Sequence, residues 1–185
     1  MKKFLPFIIF IIVFAAVLAG QVGYKMFFVS APAVKYSSEY QGFENLFLHA
    51  NYKSVDGKTV EMTKLNSPVV IYNFWASWCI PCLSEMPSMM ALKSKFNSDQ
   101  LQIVAINTDE DNQLDAIKKT MKKINMKDEF IVVPDKAAKI VNDFKISAIP
   151  VTIVFHRGKV VEFSNGPMDF ASEEFLEKMK GWTKN

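Results

Sequence analysis

The chain has 185 residues and a mass of 21.0 kDa, which is room for one ordinary domain and an accessory segment but not for two full-size domains. Half of its residues are hydrophobic and the mean hydropathy is +0.09, values that exclude a wholly disordered chain. The net charge is +3, and without Lys2 and Lys3 the balance is 20 basic against 19 acidic residues, which leaves no electrostatic footprint for nucleic acid.

Met1-Lys2-Lys3 precede an uncharged run of 21 residues, Phe4 to Tyr24, dominated by Phe, Ile, Val, Leu and Ala. As a helix that run would measure about 32 Å, close to the roughly 30 Å hydrocarbon thickness of a bilayer. Residues 1–25 therefore read as an N-terminal membrane anchor, with cleavage after Ala19 as the alternative. With the two lysines on the cytoplasmic side, the rest of the chain faces outward. The expected location is the inner membrane, single-pass, with the domain on the periplasmic side, or the periplasm itself if the segment is removed. Residues 26–42 carry Pro32, several serines and two tyrosines without periodicity, and read as a linker. The folded domain is expected over residues 43–185.

Within it, residues 46–52 and 58–62 flank Asp56-Gly57, a hairpin dipeptide, and predict a small antiparallel pair. Residues 69–75 form a nearly continuous apolar run after Pro68 and predict a central strand buried on both faces. Helices are predicted over 80–96 and 111–124, with an apolar strand over 101–106 between them. A short helix over 136–144, strands over 151–155 and 160–163 around Arg157-Gly158, and a helix over 171–182 complete the pattern. Strand and helix alternate, so the class is α/β.

Cys79 and Cys82 are the only cysteines, and they stand where the central strand ends and a helix begins, in Phe74-Trp75-Ala76-Ser77-Trp78-Cys79-Ile80-Pro81-Cys82. Two intervening residues on the first turn of a helix let the sulfurs open and close a disulfide without moving the fold. Pro81 suits that turn, where the backbone N–H has no helical partner. Cys79 meets unsatisfied N–H groups and the positive end of the helix dipole, which favour thiolate over thiol. A fall in its pKa from about 8.5 to about 7 would raise the thiolate share at neutral pH from roughly 3% to roughly half. Cys79 is thus the candidate nucleophile and Cys82, a turn deeper, the candidate resolving thiol.

Other residues admit plainer readings. Half a zinc site completed by His49 and His156 lacks the short ligand spacing such sites use, so no metal is expected. Met86, Met89 and Met90 fall on one helical stripe, a core pattern before a soft copper set. Trp75 reads as core; Trp78 reads as rim or substrate contact. Asp109, Glu110 and Asp111 read as charges at the start of the next helix, and Lys118, Lys119, Lys122 and Lys123 as a solvated helix face.

The run from Val69 to Cys82 resembles the active-site strand and helix of the thioredoxin superfamily. Glu85 and Pro87 extend it to C-x-x-C-x-x-E-x-P, similar to the membrane-tethered TlpA, ResA and CcmG type, and Ala148-Ile149-Pro150-Val151-Thr152 resembles the family's cis-proline segment. The resemblance implies a thioredoxin-like fold, a central mixed β-sheet flanked by helices. It implies that Pro150 is cis and packs against the disulfide, and that Ile149 offers its backbone to a substrate peptide. It makes Glu85 a candidate proton acceptor near Cys82. Asn73 departs from the pattern, standing where thioredoxin keeps a buried aspartate, and an amide cannot take a proton.

The implied function is a thiol-disulfide oxidoreductase reducing protein disulfides outside the cytoplasmic membrane, with cytochrome c maturation as the expected pathway. No cofactor beyond the Cys79–Cys82 pair is expected. The expected partners are a protein disulfide substrate such as apocytochrome c, a membrane electron donor protein and the membrane itself, the protein acting as a monomer. A copper-handling protein of the same fold and an exported disulfide oxidase remain the alternatives.

Overall fold

The computed structural model describes residues 40–111, 113–126 and 130–184, so the expected anchor and the linker up to residue 39 lie outside it. The described elements are α1 (Gln41–Leu48), β1 (Asn51–Lys53), β2 (Thr59–Glu61), β3 (Val69–Trp75), α2 (Ile80–Lys93), β4 (Leu101–Asn107), α3 (Gln113–Lys123), β5 (Ile131–Pro134), α4 (Lys139–Asp143), β6 (Val151–His156), β7 (Lys159–Asn165) and α5 (Glu173–Trp182). Five strands form one mixed sheet in the order β5-β4-β3-β6-β7. β3, β4 and β5 run parallel, and β6 runs antiparallel to both of its neighbours, β3 and β7.

The nearly unbroken apolar run makes β3 the middle strand, with all seven residues buried. Side chains alternate across a strand, so Val69, Ile71 and Trp75 face one core and Val70, Tyr72 and Phe74 the other. The first core holds α2 through Met86 and Met89, both fully buried, with Met90 packed at its margin, as the core reading expects. The second is largely aromatic, with Phe47 stacked on Phe155 at 4.4 Å and Tyr72 edge-on to Phe155 at 5.0 Å. Asn73 interrupts the first row, and Thr152 lies beside it in register on β6.

The observed elements differ from the predicted ones in four places. Residues 46–48 end helix α1 rather than open a strand, because Glu44 and Phe47, three apart, turn to the same buried side. The hairpin strand shrinks to Asn51–Lys53, and the Asp56-Gly57 turn survives with Gly57 at φ 85°. β5 was not predicted; four residues ending in a proline are too short for periodicity to separate strand from helix. The short helix expected over 136–144 begins as a 3-10 turn, in which Ala137 and Ala138 take left-handed backbone angles, before α4 starts at Lys139.

Candidate active site

Cys79 caps the N-terminus of α2, and Pro81 sits within the helix's first two positions. The Sγ of Cys79 is bonded to that of Cys82, with the Cα atoms 5.3 Å apart, and it also accepts the Cys82 backbone N–H at 3.3 Å. Both cysteines are buried, Cys79 at 4% and Cys82 at 0% exposure, whereas Trp78 and Ile80 beside them are 69% and 78% exposed. The disulfide therefore lies just under an apolar rim that faces solvent.

Glu85 follows Cys82 by three residues, on the same side of α2, and is buried. Its Oε1 accepts the Asn73 Nδ2–H at 2.7 Å, and its Oε2 accepts the backbone N–H of Met168 at 2.9 Å. The other Nδ2 hydrogen of Asn73 reaches Thr152 Oγ1 at 3.2 Å. Burial pushes the Glu85 carboxyl above the usual carboxylate range, and the Met168 and Asn73 donors offset only part of that. A buried acid held this way binds a proton more tightly than an exposed carboxylate does.

The loop that leads into Cys79 is clamped from β4. Asp109, read from the sequence as a charge at the start of α3, is buried and turned to the loop instead. Its carboxylate accepts the Ser77 N–H at 3.0 Å, the Ser77 hydroxyl at 3.1 Å and the Asn107 side-chain amide at 2.9 Å. The Thr108 N–H donates to the Trp75 carbonyl at 2.8 Å. Sequence reasoning missed Ser77, Asn107 and Asp109 as a set. The available signal was two polar residues where a buried parallel strand ends, the edge at which open α/β sheets build their sites. Met168 contributes only a backbone N–H, for which no side chain could give notice.

The Ile149–Pro150 peptide is cis and Pro150 is buried, with its carbonyl taking the Gly166 N–H at 2.9 Å. Ile149 packs partly against the core that contains both cysteines. Trp78 and Ile149 line one groove of about 790 Å³ together with Thr108, Val141, Ile146 and Ala148. The structure thus brings Cys79, Cys82, Trp78 and Ile149 to one rim and sets Glu85 beneath it. A cavity of about 900 Å³ among α1, β1, β5 and α4 touches neither sulfur nor Glu85. His49 is exposed and bonds the Asn45 carbonyl at 2.8 Å. Among the described residues no three of His, Cys, Asp and Glu gather as metal ligands.

The Redoxin family model matches residues 29–176. The chain belongs to this family. Among relatives of this Redoxin-family chain, a thiol-disulfide oxidoreductase ResA of Bacillus cereus is 29% identical over 179 residues, covering 95% of this chain and 94% of its own. The ResA of Bacillus subtilis is 32% identical over 117 residues, 63% of each chain. A crystal structure of a thioredoxin-family thiol:disulfide interchange protein of Chlorobium tepidum superposes with a TM-score of 0.61 at 27% identity, covering 73% of this chain and 93% of that one. The Redoxin-family chain is therefore a thioredoxin-superfamily protein of the TlpA, ResA and CcmG type. These relatives support thiol-disulfide oxidoreductase activity, and the Cys79–Cys82 disulfide stands at the site such an activity needs.

Proposed function

We propose that this oxidoreductase reduces disulfides of protein substrates on the outer side of the cytoplasmic membrane, tethered there by residues 1–25. The observation that carries the reading is the Cys79–Cys82 pair at the N-terminus of α2, under a rim of exposed apolar side chains. In the dithiol state, the Cys82 N–H that meets the Cys79 sulfur is placed to stabilise a thiolate. That thiolate attacks a substrate disulfide; a mixed disulfide forms and one substrate sulfur leaves as thiolate. Cys82 passes its proton to Glu85 and attacks the Cys79 sulfur. The second substrate sulfur leaves, and the disulfide seen here is regenerated. Two electrons pass to the substrate, and no cofactor is needed beyond the two cysteines. A membrane dithiol protein recharges the pair.

The groove between Trp78 and Ile149 suits an extended peptide, the backbone beside Pro150 pairing with it in strand fashion. The Glu85 and Pro87 pattern and the anchor favour cytochrome c maturation, with apocytochrome c as the substrate.

The test is capture. Cys82→Ser is expected to accumulate a mixed disulfide between Cys79 and a substrate protein, and Cys79→Ser to capture nothing and to abolish turnover. A Cys82→Ser protein that traps no partner would overturn the role division. A reduction potential near −120 mV, that of a strong disulfide-forming oxidant, would reverse the assigned direction. Normal c-type cytochromes in a deletion strain would remove the pathway.

A further inference from the structure

Asn73 is the residue that breaks the apolar row of β3 on the cysteine side, and it is fully buried. Its side-chain amide has two donor hydrogens and one acceptor oxygen. As placed, Nδ2 serves Glu85 Oε1 at 2.7 Å and Thr152 Oγ1 at 3.2 Å, while Oδ1 is buried with no hydrogen-bond partner among the described residues. That orientation fits an ionised Glu85, which only accepts. A protonated Glu85 would present an O–H, and an N–H facing it would leave one of its hydrogens without an acceptor.

We propose that Asn73 is a positioning residue for the Glu85 proton: its amide turns over with the protonation state of Glu85, donating through Nδ2 to the carboxylate and accepting through Oδ1 from the acid. After the turn Oδ1 faces the Glu85 O–H, and the Thr152 hydroxyl rotates to donate to the same oxygen, since a hydroxyl serves either role. The oxygen without a partner in one state accepts two hydrogen bonds in the other, while the two Nδ2 hydrogens give up Glu85 and Thr152 as acceptors. The inference rests on the reading of Glu85 as the proton acceptor for Cys82. The balance is one proton and no electrons: the Cys82 thiol becomes thiolate, the Glu85 carboxylate becomes acid, and the amide reorients. An aspartate at position 73 could not do this without a second titrating charge, whereas an amide stays neutral throughout.

The groups that meet Glu85 are few. β3 contributes the Asn73 amide, the segment after β7 contributes the Met168 N–H, and on α2 itself Cys82 lies one turn back. Among the described residues no charged side chain acts on it, so its proton affinity is set by burial and by these donors.

The test is side-chain NMR on the full chain across a pH series, reading the Glu85 carboxyl carbon and the Asn73 Nδ2 hydrogens. Both are expected to move with one midpoint, and in Glu85→Gln the Asn73 signals are expected to be independent of pH. If the Glu85 carbon titrates and the Asn73 hydrogens do not follow, the inference falls and the reading of Glu85 stands. If Glu85 does not titrate where turnover does, the reading falls and takes the inference with it. As a second variant, Asn73→Leu removes a donor that favours the carboxylate, so the pH at half-maximal turnover is expected to move to the alkaline side. Asn73→Ser, which can both donate and accept, is expected to hold the wild-type profile. Equal profiles for Leu and Ser would contradict the assignment.

Discussion

Two buried glutamates lie on opposite faces of the central sheet, and their partners divide them. Glu44, on α1, is 4% exposed and accepts Lys159 Nζ at 2.7 Å and the Val160 N–H at 3.2 Å. Glu85, on α2, is 3% exposed and accepts an amide and a backbone N–H, with no cation. A lysine supplies the countercharge that a buried carboxylate otherwise lacks, so the first acid ties α1 to β7. The second is left with donors but no charge, and burial raises its proton affinity. The difference teaches that a buried acid with a countercharge serves as a tie between elements, whereas one without it is a candidate proton site.

The comparison breaks most visibly under exchange of each acid for a neutral residue. Glu85→Gln is expected to lower turnover about a hundredfold, the lower range for loss of a general acid–base group. Its stability to urea at pH 7 should equal or exceed that of the wild type, because a costly buried charge is gone. Glu44→Ala is expected to do the reverse. It leaves the Val160 N–H buried without its acceptor, costing about 2 kcal/mol in urea unfolding, with turnover unchanged.

The pH dependence of stability sharpens the same contrast. The folded-state pKa of Glu85 is raised above its ordinary 4.5, so the folded protein holds this proton more tightly than the unfolded chain. That contribution to stability is complete below about pH 4.5 and is lost as pH rises through the folded value. Urea midpoints of wild type and Glu85→Gln are expected to converge at low pH and separate toward neutral pH. Parallel curves would show that Glu85 titrates as it does in the unfolded chain. The smallest effect belongs to Ser88, whose hydroxyl accepts the Phe170 N–H at 3.2 Å and so helps hold the segment that brings Met168 to Glu85. Ser88→Ala is expected to cost about 1 kcal/mol and to change turnover less than Glu85→Gln does.

What the sequence made legible follows from the range over which each signal acts. β3 was readable to the residue because a strand buried on both faces is apolar almost throughout, with Asn73 the exception, and the cysteine pair because its spacing encodes its chemistry. The cis bond before Pro150 came through resemblance alone, since no local pattern fixes it. β5 was lost because four residues carry too little period. The burial of Asp109 was lost because an acid beside two other acids just before a helix reads as a helix-start charge until β4 is known to end against Ser77. The Glu85 network could not be foreseen as a group: Asn73 and Met168, which meet Glu85, and Thr152, which meets Asn73, lie on three segments that only the folded sheet brings together.

The central claim is that the Cys79 sulfur, at the start of α2 and facing the Cys82 N–H, is an activated nucleophile. The direct measurement is the alkylation rate of the reduced protein across a pH series, read separately for each cysteine by mass spectrometry. The account predicts that Cys79 reacts first, with a midpoint clearly below the roughly 8.5 of an ordinary cysteine, and that Cys82 lags. Equal, slow rates with a midpoint at or above that value would contradict it.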